Sequence, residues 1–190
     1  MRVMPEPSTS TLVLPIAYPL DDFYVRAGQI LPSIHPVNAD EVPEPYKRLL
    51  VHHDDMTPTL EKYYGDTLQL SVLKSDTREI HYFREVVLSL NSSGKRVEFG
   101  AIKINLSLYP PTARKLILDE KEPLGRILQS CGVVHSSKPK GFFRITTDPL
   151  IGEALGMKSG IEVYGRRNTL SDSQMRPLAE IVEILPREME

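Results

Sequence analysis

Arg84 stands in the middle of "HYFREVVLSL", residues 81–90, a run of Tyr, Phe, Val and Leu that suits a pleated strand. Strand side chains alternate between faces, so Arg84 shares one with Tyr82, Val86 and Leu88. A guanidinium keeps its proton, and leaving it unpaired among apolar groups is costly. The chemistry indicated is anion binding, and the anion is either a carboxylate of this chain or one that arrives from outside. "LAEIVEILP", residues 178–186, poses the same problem with the opposite sign. Glu183 alternates with Ile181 and Leu185, and Glu180 with Val182 and Ile184. A carboxylate in an apolar row has a raised pKa unless it is paired. Such a group carries protons well, or partners a bound hydroxyl. Two arrangements follow. In one, Arg84 and one of these glutamates form a cross-strand ion pair. In the other, they mark the two ends of a pocket for a small molecule with a carboxylate at one end and a hydroxyl at the other.

The flanking sequence supplies the elements that must position these residues. In "DDMTPTLEKYYGD", Thr57 suits an N-cap, Pro58 the first helical position and Gly65 the helix end. "TLQLSVLKSD" (67–76), "EIHYFREVVLSL" (79–90) and "KRVEFGAIKINL" (95–106) read as three strands of an antiparallel meander, with "NSSG" as a hairpin turn. Pro111 and Pro123 each open a short helix. "GFFRITTD" (141–148) reads as a strand, "PLIGEALG" (149–156) as a helix, and 161–172 and 176–186 as two closing strands. The order predicts an α+β domain, a largely antiparallel sheet with helices on one side or one end. Residues 1–45, rich in proline and acidic residues, read as an N-terminal arm over a main domain of residues 46–190.

Composition narrows the function classes. With 190 residues, 41% of them hydrophobic, the chain can bury a substantial core. A net charge of -2 argues against a general nucleic-acid binder. No apolar run approaches the roughly 20 residues that span a bilayer. The proline-broken start reads as a mature N-terminus and not a secretion signal. A single cysteine, Cys131, excludes an internal disulfide and a cysteine-rich zinc site, and fits a reducing, cytoplasmic setting. "HHDD" (52–55) contains ligand types, but four consecutive residues rarely face one ion, so helix capping is preferred to a metal. His81 and His135 have no partners at diagnostic spacing.

Five segments taken in order carry a resemblance. "LLVHHDDMT", "YFREVVL", "EPLGRIL", "YGRRNTL" and "RPLAEIVEILP" make the chain resemble the chorismate pyruvate-lyase (4-hydroxybenzoate synthase) family over residues 49–186, especially its small archaeal, bacterial and plastid-type branch. The resemblance implies an antiparallel sheet with helices enclosing an internal ligand cavity. It implies conversion of chorismate to 4-hydroxybenzoate and pyruvate, without metal or organic cofactor. Arg84 falls on the family arginine that binds the ring carboxylate, and Glu183, six residues after Pro177, on its glutamate. Those two are the implied catalytic pair, Arg84 orienting the ring and Glu183 accepting a proton. Met56, Thr57 and Leu124 fall where helix starts meet the ligand carboxylate. Arg166 or Arg167 faces the second carboxylate, only one of the two pointing inward.

The sequence also departs from the family. Ala101 follows Gly100 where the ubiquinone-pathway enzymes carry an arginine, and Lys103, on the same face as Ala101, is the candidate replacement. A gapless alignment of the last strand puts Val182 opposite the glutamate, which keeps Glu180 as the alternative carboxylate. Two other functions stay open: a non-catalytic binder of small aromatic acids, as in the effector-sensing domains that share this fold type, and a relative acting on another chorismate-derived acid. No helix-turn-helix segment is read in the sequence.

Overall fold

The structure, a computed structural model, describes residues 15–188. Among these residues one seven-stranded sheet is formed by β1 (Ile34–Val37), β2 (Leu68–Arg78), β3 (His81–Leu90), β4 (Arg96–Asn105), β5 (Ser136–Thr146), β6 (Glu162–Ser171) and β7 (Pro177–Leu185). Its order is β1-β5-β6-β7-β4-β3-β2, and every neighbouring pair is antiparallel. The meander read from residues 67–106 is present as β2, β3 and β4. β5 begins at Ser136, earlier than its apolar stretch suggested, because the polar "SSKPK" part pairs with β6 and absorbs Pro139 at a register shift.

Six α-helices flank the sheet among the described residues: α1 (Leu20–Arg26), α2 (Tyr46–Leu50), α3 (Met56–Tyr64), α4 (Pro111–Leu118), α5 (Leu124–Ser130) and α6 (Pro149–Leu155). They cover both faces, where helices on one side or one end were expected. α2 to α5 pack on the face that carries Tyr82, Val86, Ile102 and Ile181. α1 and α6 pack on the opposite face against Phe83, Val87, Phe99 and Val182. The difference arises from α6 and from the segment read as an arm. Residues 1–14 lie outside the described residues. Within the remainder, Leu20, Phe23 and Tyr24 form an i, i+3, i+4 stripe that packs into the core. β1 then pairs with the free edge of β5.

The double covering explains the burial pattern of the central strands. In β3 every residue from Tyr82 to Leu88 is buried, so the apolar/polar alternation of a half-wet strand is lost. Arg84 and Glu85, neighbours in sequence, point into opposite layers.

α3 begins at Met56, with Asp55 as its N-cap residue, so Pro58 is its third residue and not its first. That position tolerates proline because the first four helical N–H groups have no intrahelical acceptor.

Candidate functional site

Arg84 has no exposed surface, and none of its three guanidinium nitrogens has a hydrogen-bond partner. On the sheet it has Ile102 beside it on β4 and Ile181 beyond on β7, with Ser75 of β2 on its other side. The nearby polar groups are committed elsewhere. The Tyr82 hydroxyl donates to Glu120, and the Tyr109 hydroxyl to the carbonyl of Leu178 at 3.3 Å. Burial disfavours the charged form of Arg84, and the neighbouring Tyr82, Glu120 and Tyr109 work the other way. A buried cation left in this state is a receptor for an anion.

Glu183 lies on the same face, between Gly100 of β4 and Arg166 of β6. Arg84 and Glu183 are two strands apart, roughly 10 Å across the sheet at about 4.8 Å per strand. Glu183 is 3% exposed, and its Oε2 accepts from Nε of Arg166. Arg166 donates further to the carbonyls of Leu50, His52 and Asp54 at 3.1, 3.2 and 3.3 Å. It thereby pins the "HHDD" loop to the sheet. His52 is held neutral there by burial and by Arg166, its Nε2 donating to Leu49 and its Nδ1 accepting from Asp54.

A second carboxyl joins Glu183. Glu98 of β4 is 4% exposed, and its Oε2 has no partner. It folds over Gly100: Oε1 lies 3.3 Å from where a Cβ of that glycine would stand. A side chain at position 100 would crowd the carboxyl and Val86. Burial first, and the Glu183 carboxylate second, push the Glu98 carboxyl well above the usual carboxylate range, while Arg166 pulls the other way. Sequence reasoning passed over Glu98. The signal was there, since Glu98 alternates with Gly100, Ile102 and Ile104 as Arg84 does with its own apolar neighbours.

Two helix starts close this face. Met56 opens α3 and Leu124 opens α5, and both are buried. They abut through Gly125, where a Cβ would lie 3.0 Å from Oγ1 of Thr57. Arg126 fastens α5 to α3 through Glu61 at 2.5 Å and to the Leu68 carbonyl at 3.1 Å. The Asp55 side chain accepts from Nε2 of His135 at 2.8 Å, and that bond raises the histidine's pKa. "HHDD" therefore supplies a helix cap position and a clasp. No cluster of potential metal ligands occurs among the described residues.

Arg84, Glu98, Glu183, Met56, Thr57, Leu124 and Asn168 together line one cavity. Its volume of ≈ 40 Å³ is room for roughly a few water molecules. A six-membered ring needs more room than this, so the walls must give to admit one. Three other expected residues do not line it. Arg167 points to the opposite face and donates to Glu180 at 2.8 Å, where Thr169 also donates. Lys103 shares that face, its ammonium 5.5 Å from the Tyr18 ring centroid. Arg166 shares the face of the cavity, but its donors are engaged by Glu183 and the loop carbonyls.

Fold and cavity define an α+β domain, a seven-stranded antiparallel sheet with flanking helices around a small cavity. No family model and no curated protein matches the chain. Among solved structures it is similar to PhnF from Mycobacterium smegmatis, at 14% identity and a TM-score of 0.56, covering 73% of this chain and 66% of that one. The effector domain of the same PhnF matches at 13% identity and a TM-score of 0.54, covering 80% of this chain and 91% of that one. Gene product SA0254 from Staphylococcus aureus matches at 8% identity and a TM-score of 0.51, over 63% of this chain and 82% of that one. At these identities the likeness is one of fold. No helix among the described residues is long and apolar enough to cross a membrane.

Proposed function

We propose that this domain binds a small monocarboxylic acid of the hydroxybenzoate class in the cavity between the sheet and the starts of α3 and α5. One observation carries the reading: Arg84 is fully buried, unpartnered and faces that cavity. A guanidinium bound to a carboxylate recovers through charge-assisted hydrogen bonds what its burial costs. The apolar walls, Val86, Leu88, Ile102, Leu170 and Ile181, suit a ring. The likeness to an effector domain supports ligand binding without chemistry.

A second reading, the chorismate lyase, draws on the presence of Glu183 in the same cavity as Arg84. In that reading Arg84 orients the ring carboxylate and a carboxyl accepts the ring proton as enolpyruvate departs. Arg166 already occupies Oε2 of Glu183, which leaves Oε1 for that role.

One experiment separates the two. Purified protein is mixed with chorismate while 4-hydroxybenzoate and pyruvate are followed together, and is titrated calorimetrically with 4-hydroxybenzoate. Binding without turnover, lost in Arg84→Ala, establishes the binding module. Equal release of both products, lost in Arg84→Ala and Glu183→Gln, establishes the lyase. Neither binding nor turnover removes both readings.

A further inference from the structure

We propose that Glu98 is a specificity-determining residue that meets the ligand as a neutral acid, its free Oε2 recognising an uncharged oxygen at the end of the ligand remote from the carboxylate. This deepens the binding proposal above and rests on it. The carboxyl is 4% exposed, lines the cavity and leaves Oε2 without a partner. It stands one strand from Arg84, displaced four residues along the sheet: Leu88, opposite Glu98, is four positions from Arg84. At about 3.3 Å per residue that is roughly 13 Å along the strand direction, and Glu98 reaches back over Gly100 from its end.

The charged groups around Glu98 dictate its form. Glu183 faces it from β7, Arg166 from β6, and Arg84 shares the cavity from β3. His52, on the loop behind Arg166, is held neutral, and Asp55 is matched by His135. Two guanidiniums against the Glu183 carboxylate leave one positive charge. A ligand carboxylate on Arg84 cancels it. An ionised Glu98 would then leave an uncompensated buried negative charge, which is costly in this setting. Burial and the Glu183 carboxylate both favour the protonated form, in agreement with this balance. A neutral carboxylic acid both donates and accepts, which matches a hydroxyl or a ketone. A second ligand carboxylate could accept from it but would add an uncompensated buried negative charge, so the cavity should discriminate against dianions of the same outline.

The test is calorimetric titration at pH 7 with 4-hydroxybenzoate, benzoate and terephthalate, using wild type, Glu98→Gln and Glu98→Leu. Wild type should bind 4-hydroxybenzoate about tenfold or more tighter than either of the others. Glu98→Gln, which keeps a neutral donor, should stay within about threefold of wild type for 4-hydroxybenzoate. Glu98→Leu should lose the preference while still binding benzoate. Wild-type affinity should fall as pH rises through the Glu98 titration, and the Gln variant should be flat over the same range. Equal binding of 4-hydroxybenzoate and benzoate by wild type, or a preference that survives in Glu98→Leu, would overturn the role of Glu98 and leave the Arg84 site standing. If Glu98→Leu does not fold, a Gln variant with the wild-type pH profile would overturn it. Failure of wild type to bind any of the three acids overturns the binding proposal, and this inference with it.

Discussion

Arg166 and Glu183 face each other across β6 and β7, joined by a hydrogen bond from Nε to Oε2, with their side chains 0% and 4% exposed. Arg84, two strands away on the same face, has no such partner. Of these two buried arginines, one is satisfied by the fold and the other is not. Removing each should therefore have opposite effects on stability.

Replacing Arg84 by Met should stabilise the ligand-free protein, by about 1–3 kcal/mol, because an unpaired buried charge is exchanged for an apolar side chain of similar length. Ligand binding should be lost in the same variant. Chemical denaturation and calorimetry read the two effects. A clear destabilisation by Arg84→Met would mean that the guanidinium has a partner in the folded protein.

Glu183→Ala should do the reverse. It leaves Arg166 with the loop carbonyls alone and should cost about 3–5 kcal/mol, the usual penalty for breaking a buried pair. Denaturant midpoints at constant m would report it. The tie of residues 50–54 to the sheet should loosen as well, which amide exchange in that loop would detect.

The contact of the two helix starts should be sensitive to a single methyl group. Gly125→Ala places a Cβ 3.0 Å from Oγ1 of Thr57 and 3.1 Å from its Cβ. Overpacking of this kind costs about 1–3 kcal/mol. Thr57→Gly in the same chain should recover part of it, and a double-mutant cycle with no coupling would show that the contact carries no strain.

The Asp55–His135 clasp makes a pH prediction. The His135 pKa is raised, chiefly by its bond to Asp55. Its contribution is fully present below the unfolded value near 6.5 and is lost as pH rises through the folded value. His52 works oppositely, since its pKa is lowered by burial and by Arg166, and stability falls as pH drops below about 6.5. The His135 part is isolated by subtracting the stability profile of His135→Asn from that of wild type. The difference should shrink with rising pH, and a difference that grows would rule the clasp out.

How much of this was legible in the sequence depended on whether the information was local. Arg84 was visible because alternation alone fixes its face, and the apolar identity of Tyr82, Val86 and Leu88 marks that face as buried. The same rule applied to Glu98, but its row begins with a glycine and breaks the apolar run that made Arg84 conspicuous. Which arginine would serve which glutamate was not legible. Alternation puts Arg166 and Glu183 on one face and Arg167 and Glu180 on the other only once the register of β6 against β7 is known, and that register is set by non-local pairing. α1 was missed for a different reason. Its three buried residues are too few to stand out among the surrounding prolines, and the sheet face they cover was not known to be bare.

The seam between α3 and α5 has a kinetic consequence. Arg84, Glu98 and Glu183 are each 4% exposed or less, and Thr57 rests against Gly125 where the two helix starts meet beside them. If the proposed ligand enters between these helix starts, uptake waits for the seam to part. The observed rate of association should therefore rise with ligand concentration and then level off at the opening frequency of the seam. A ligand once seated should also leave slowly, at a rate set by the same parting and largely indifferent to how well its ring fills the cavity.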